Sequence, residues 1–326
     1  MVRWQWMLGI FLLFPVVLPA ETFRWEETPE GCLKLWEGEK PVWCYQYRQK
    51  IHENVPVSDL RRVAGCYFHP LYGLEGEILT ANATLFDNHA HHHGVWASFM
   101  TFLVHHPDGS ETFYDTWTDD TAVKKDFVGW LERKVEGETF VLGVQNGCFR
   151  YENGERKEKY LDEKLRVTTH AVAEHPLLGR HRAIDWEYSW TACDHPITLA
   201  GDRPNGKNFC SLAIRFAVPK EKTTILGPEG EIAGDPLRCP VSWVDYQDRF
   251  IPGGKRTGVA LLASPKNPPH PGGMAIRHYG MLVAGYPGVE GYTLKPGETV
   301  TLKYRLWIHE NLLTSEAWQP LVESFR

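Results

Sequence analysis

The stretch TVTLKYRLWIH, Thr299–His309, places Val300, Leu302, Tyr304, Leu306 and Ile308 on one side and Thr301, Lys303 and Arg305 on the other. A period of two belongs to a strand with one dry and one wet face; a helix would scatter the same residues round its axis. HRAIDWEYSWTA repeats the pattern with Ile184, Trp186, Tyr188 and Trp190, and LRVTTHAV and TFVLGVQNG read likewise. Turn chemistry separates these runs: Pro296-Gly297 precedes the first, and Asp108-Gly109 reads as a hairpin connection. Helical periodicity is confined to two short candidates, DDTAVKKDFVGWLE and TSEAWQPLVESF. The 29 glycines and 22 prolines are spread as punctuation rather than gathered into a linker. The pattern predicts an all-β chain, a large antiparallel β-sandwich with few short helices. At the usual spacing per strand and turn it should hold roughly fifteen or more strands.

The first twenty residues differ from the rest. Arg3, an apolar run of roughly a dozen residues and Ala20 form a secretory-signal pattern too short to span a bilayer. The expected organisation is a signal peptide over 1–20 and a single β-sandwich domain over 21–326, exported to the periplasm or cell exterior. No later segment is apolar enough to cross a membrane. A net charge of −6 without blocks of one sign leaves no nucleic-acid footprint. The seven cysteines contain no CxxC pair, which argues against a zinc ribbon. An exported chain has room for a disulfide such as Cys32–Cys44, but an odd count leaves a thiol over, and most read as small buried hydrophobes. Asn82 opens a glycosylation sequon, relevant only in a eukaryotic secretory pathway.

Four of the 15 histidines fall within HAHHHGVW, residues 89–96. In an extended chain His89, His91 and His93 share one side and His92 faces the other. A His-x-His pair converges on a point above the sheet, so His89 and His91 suit one divalent metal (zinc, manganese, nickel or calcium), with a third ligand from His69, His270 or His278. The same rings serve equally as general acids and bases, since imidazole titrates near neutrality. The plain alternative is a loop of solvated histidines. Gly94 permits a bend or a close backbone approach, and Trp96 offers a flat wall for a sugar ring. CYFHPLYG adds His69 and Tyr72, WVDYQ adds Asp245 as a base or an orienting carboxylate, and the proline-rich SPKNPPHPGGMAIRHYG carries Asn267, His270, Arg277, His278 and Tyr279.

The succession HPLYG, DNHAHHHGVW, FYDTW, WVDYQ, GVALLASPKNPPHP, IRHYG and YTLKPGETVTLKYRLWIH resembles the PmoA-like family of exported bacterial proteins, often labelled methane oxygenase. The family's central motif, approximately Asp-His-Pro-His-His-(Arg or His)-Gly-Leu-Trp, matches Asn88 to Trp96. Its acid is Asn88 here, a later histidine is replaced at Ala275, and a later acid has become His278. The membrane-bound methane-oxidising enzyme that shares the label needs several spanning helices, so methane oxidation does not follow. The resemblance implies a supersandwich similar to galactose mutarotase, a fold that hosts sugar epimerases, glycosidases and lyases.

Two function classes follow. The first is an exported carbohydrate-active enzyme of epimerase, lyase or keto-sugar-processing type, with His89, His91, His92, Asp245, His270 and Arg277 as catalytic candidates. His69, Tyr72, Trp96, Asn267, His278 and Tyr279 would line the substrate. The second is a non-catalytic glycan-binding or cell-surface module using the same groove. A metal-storage or metal-sensing role is a third, weaker reading. Two-carboxylate glycoside hydrolysis is disfavoured because no acidic pair accompanies the histidines.

Overall fold

The computed structural model describes residues 22–84, 89–118, 122–217, 223–251, 253–270 and 272–325. The expected leader over 1–20 and the departure at Asn88 lie outside them.

The alternating runs form the sheets they predict. Thr299–His309 pairs antiparallel with Gly179–Ala192 on one side and Thr257–Ala263 on the other, at the heart of a ten-stranded sheet. That sheet runs from Val123–Glu136 through Thr139–Glu152 and Glu155–His170 to Trp243–Asp248 and beyond. An eight-stranded sheet lies over it, in the order Phe23–Glu27, Cys32–Glu37, Lys40–Gln46, Tyr67–Leu71, Val95–Phe99, Cys210–Arg215, Met281–Val283 and Ala275–Arg277. A four-stranded sheet contains the predicted hairpin, where Gly109 takes φ +82° between Thr101–His105 and Glu111–Tyr114. This is the expected all-β antiparallel sandwich.

Each large sheet turns one row of side chains into the gap between them. Phe68 meets Trp186 edge-on at 4.7 Å and Phe99 meets Trp190 at 5.2 Å, so rings from the two sheets interlock. Two polar pairs cross the gap: Trp43 Nε1 donates to Thr169 Oγ1 (3.0 Å) and Tyr45 Oη donates to Asn146 Oδ1 (3.1 Å). On the far face of the ten-stranded sheet, helix Ser315–Ser324 packs Trp318 against Trp243 and Trp307. On the far face of the eight-stranded sheet a second apolar patch gathers Tyr67, Trp96, Trp117, Ala213, Ala275, Met281 and Val283. The histidines stand on that patch.

Two local expectations change. The helix read into DDTAVKKDFVGWLE is instead the edge strand Val123–Glu136, because nearly its whole length is paired with Thr139–Glu152. All seven cysteines are free thiols. Cys32 and Cys44 nonetheless lie diagonally across adjacent strands, close enough to influence each other's titration.

Candidate functional site

His89–His93 is a five-residue strand whose partner, Asn82–Thr84, is irregular: the register shifts between Asn82 and Thr84, and Ala83 takes φ +47°. Gly94 follows at φ +63°, where a Cβ would stand 2.2 Å from the Phe68 carbonyl oxygen. The chain therefore makes the close approach expected at Gly94, and only glycine fits it. These distortions overturn the simple alternation. His92 is not opposite its neighbours: its ring stacks on His89 (4.4 Å) and meets His91 edge-on (4.5 Å), while His89 and His91 are 5.8 Å apart. His93 is the ring that leaves. It stacks on His52 (5.3 Å), lies against Tyr67, and its Nδ1 is 3.1 Å from Asn82 Oδ1. The sequon asparagine thus forms part of this wall, its Nδ2 pointing at Tyr67 Oη (3.3 Å).

The His89/His91/His92 group has a definite floor and side. Beneath His92 lie Trp96 (5.5 Å) and Trp117 (6.5 Å). Trp96 is almost fully covered, so it supports the histidines rather than offering a face to a sugar. Tyr279 stacks on His89 at 5.0 Å, and the fully buried Arg215 holds its guanidinium 4.7 Å from the Tyr279 ring. His89, His91 and Tyr279 remain partly exposed, whereas His92 is 2% exposed. Burial first, then the neighbouring His91, His89 and Arg215, push the His92 pKa well below its usual value, so this ring is a neutral imidazole at physiological pH. Its Nδ1 is buried and makes no hydrogen bond among the described residues.

The other candidates are dispersed. His69 bonds Thr80 Oγ1 through Nδ1 (3.0 Å) and sits on the His93 side, its pKa pushed down to about 4 by burial and then by the Lys50 and His93 charges. Tyr72 bridges Ile78 and faces the Cys32–Cys44 pair electrostatically, apart from the histidines. Asp245 is not a base in this site. Its fully buried carboxylate accepts from His309 Nε2 (3.0 Å), Gln247 Nε2 (2.8 Å) and Trp318 Nε1 (3.1 Å) on the helix side of the ten-stranded sheet. Asn267 ties its loop to the backbone of Lys303 by two bonds. With His270 it lines a separate cavity of about 550 Å³ walled by Pro240, Pro265 and Pro268. Arg277 lies over Phe209 at 5.8 Å, on the histidine side, and His278 is held by Asp235 through its backbone N and its Nδ1.

Arg215, Trp117 and Phe209 were not foreseen. A signal for the first existed: one cation inside the apolar run LAIRFAV must either be paired or stand at a site. The third metal ligand is not supplied as expected, since His69 and His278 have other partners and His270 lies by the proline-walled cavity. Among the described residues no three His, Cys, Asp or Glu side chains are set to hold a metal ion.

The fold and site together define a two-sheet antiparallel sandwich carrying a histidine–aromatic face on the outer side of its smaller main sheet. The chain belongs to DUF6807, a family of unknown function whose profile matches residues 32–323. No curated protein matches it. Similar solved structures include GH36 alpha-galactosidase AgaB from Geobacillus stearothermophilus, at 9% identity and TM-score 0.42, covering 88% of this chain and 41% of that one. The AgaA enzyme of the same organism, in complex with raffinose, gives 10% and 0.40, covering 89% and 40%. Galactose 1-epimerase from Lactobacillus acidophilus gives 9% and 0.41, covering 90% and 100%. The chain spans about two fifths of the length of the two galactosidases.

Proposed function

We propose that this is an exported carbohydrate-active enzyme working from the His89/His91/His92 face. The reaction is proton transfer at a sugar carbon, as in an epimerase, a lyase or an enzyme acting on keto sugars. The likeness to PmoA-like exported proteins, cleavage near residue 20 and action of 21–326 as one unit are parts of the same proposal. The observation that carries it is a buried imidazole held neutral in ring contact with two partly exposed ones. A neutral ring can accept a proton, and an imidazole in ring contact with it can take part in its return, which is the pairing that removal and return of a proton require. The partly exposed Tyr279, stacked on His89, and the partly exposed Phe209 on the same patch are aromatic surface of the kind a sugar's apolar side packs against. Asp59, on which His91 has a small charge effect, is engaged by Arg61 (2.7 Å), so this carboxylate is tied into an ion pair. Among the described residues the donors do not fit a three-ligand metal centre.

The test is turnover by purified mature protein on neutral, acidic and keto-sugar glycans, with His89→Ala and His91→Ala and with elemental analysis. Loss of one general acid or base should lower kcat about 10²-fold or more with the fold intact. Variants that match wild type would overturn the proposal. Retained binding with no turnover in any form would leave a non-catalytic glycan-binding module. Stoichiometric zinc, manganese, nickel or calcium with EDTA-sensitive activity would restore a metal centre.

A further inference from the structure

The patch under the histidines continues away from them. Trp96 leans on Trp117 (5.2 Å), and Trp117 stacks on Phe209 (5.5 Å, 11° between planes). Phe209 is the half-buried end of this ladder, and two cations share it: the Arg277 guanidinium lies 5.8 Å from the ring centre and the Lys207 ammonium 5.9 Å. Among the described residues each cation has one acid within ion-pair distance, and each acid is shared with another donor; Arg277 Nη1 also donates to the Asp235 carbonyl oxygen (3.4 Å). The acid beside Arg277 is Asp235, 4.0 Å off, and its Oδ1 already accepts from His278. The acid beside Lys207 is Asp202, 3.4 Å off, whose two oxygens both accept from Asn205 Nδ2. Two cations meeting at one aromatic ring, each sharing its counter-ion with another donor, form a subsite for an anion attached to a ring-shaped ligand. Arg215, buried on the same face of the sheet and felt by His92, adds to the positive potential.

We propose that the substrate of the histidine face is an anionic carbohydrate, its carboxylate or sulfate held by Arg277 and Lys207 while the sugar lies on Phe209. This rests on the carbohydrate reading above and narrows it to one substrate class.

The probes are length-matched fragments of oligogalacturonate, sulfated galactan and neutral galactan, titrated calorimetrically at about 20 mM and about 500 mM salt. An acidic fragment should bind about tenfold or more tighter than the neutral one at low salt, with most of that advantage gone at high salt. Which acid wins separates a carboxylate ligand from a sulfate ligand. Lys207→Gln and Arg277→Gln should each reduce the advantage and together remove it, with circular dichroism showing that each variant keeps the wild-type fold. Arg277→Lys should retain part of it. Equal binding of acidic and neutral fragments, or an advantage that survives the double substitution, overturns the anionic substrate and leaves the carbohydrate reading standing. If no fragment of either charge binds, both fall.

Discussion

Lowering the pH from 7.5 to 4.5 should weaken this fold through His69 by an amount the structure sets. The ring bonds Thr80, and burial, Lys50 and His93 bring its pKa from 6.5 to about 4. The folded state therefore refuses a proton that the unfolded chain accepts. Stability from this group is complete above pH 7, is lost as the pH falls through 6.5, and stops falling near 4. At pH 4.5 the unfolded chain is almost fully protonated there and the folded one only partly, giving a loss of about 2.5 kcal/mol. That figure is an upper one, since the ring keeps a partly exposed edge. Carboxylates protonating over the same range also destabilise, so the measurement is a difference. Urea unfolding of wild type and His69→Gln is followed at both pH values; glutamine keeps a hydrogen-bonding group for Thr80 and cannot ionise. Wild type should lose up to about 2.5 kcal/mol more than the variant across the interval. Parallel pH profiles would refute the reasoning. His92 acts with the same sign, so some slope should persist in the variant.

Asp245→Ala leaves His309 buried without its carboxylate and should cost about 3–5 kcal/mol in chemical denaturation, while turnover per folded molecule stays at the wild-type value. Gly258→Ala drives a Cβ to 2.1 Å from the His309 ring and should give a comparable loss, read as a lowered melting temperature. Gly94→Ala places alanine at φ +63° against the Phe68 backbone; strain alone costs about 1–3 kcal/mol, and circular dichroism in the aromatic region should report disturbed packing round Trp96. Trp318→Ala empties the helix side of the ten-stranded sheet and should destabilise by about 3–5 kcal/mol without changing the histidine face.

Asp245 and Arg215 show how far the sequence could be read and where it stopped. Both are buried charges in largely apolar strands, Asp245 sharing its strand with Asp248, and in both strands parity is legible: Val244 and Tyr246 face the inter-sheet core, as do Leu212 and Ile214. Parity therefore puts Asp245 beside Trp243, and Arg215 beside Ala213, on outward faces. What it cannot supply is the cover on each face. A helix more than sixty residues later in the chain closes over Asp245 and delivers Trp318, while His309 arrives from the Thr299–His309 strand. Those partners turn a candidate base into a buried structural carboxylate. Arg215 meets no such helix; it meets Tyr279 and the histidine strand, and so joins the site. The same limit explains HAHHH. Alternation there is cancelled by the irregular Asn82–Thr84 partner and by Gly94, neither of which alters the local pattern of polar and apolar residues. Strand identity and facing follow from neighbours in sequence, so the sandwich was legible. A side chain's role follows from cross-strand register and from what covers its face, both fixed by contacts many tens of residues apart.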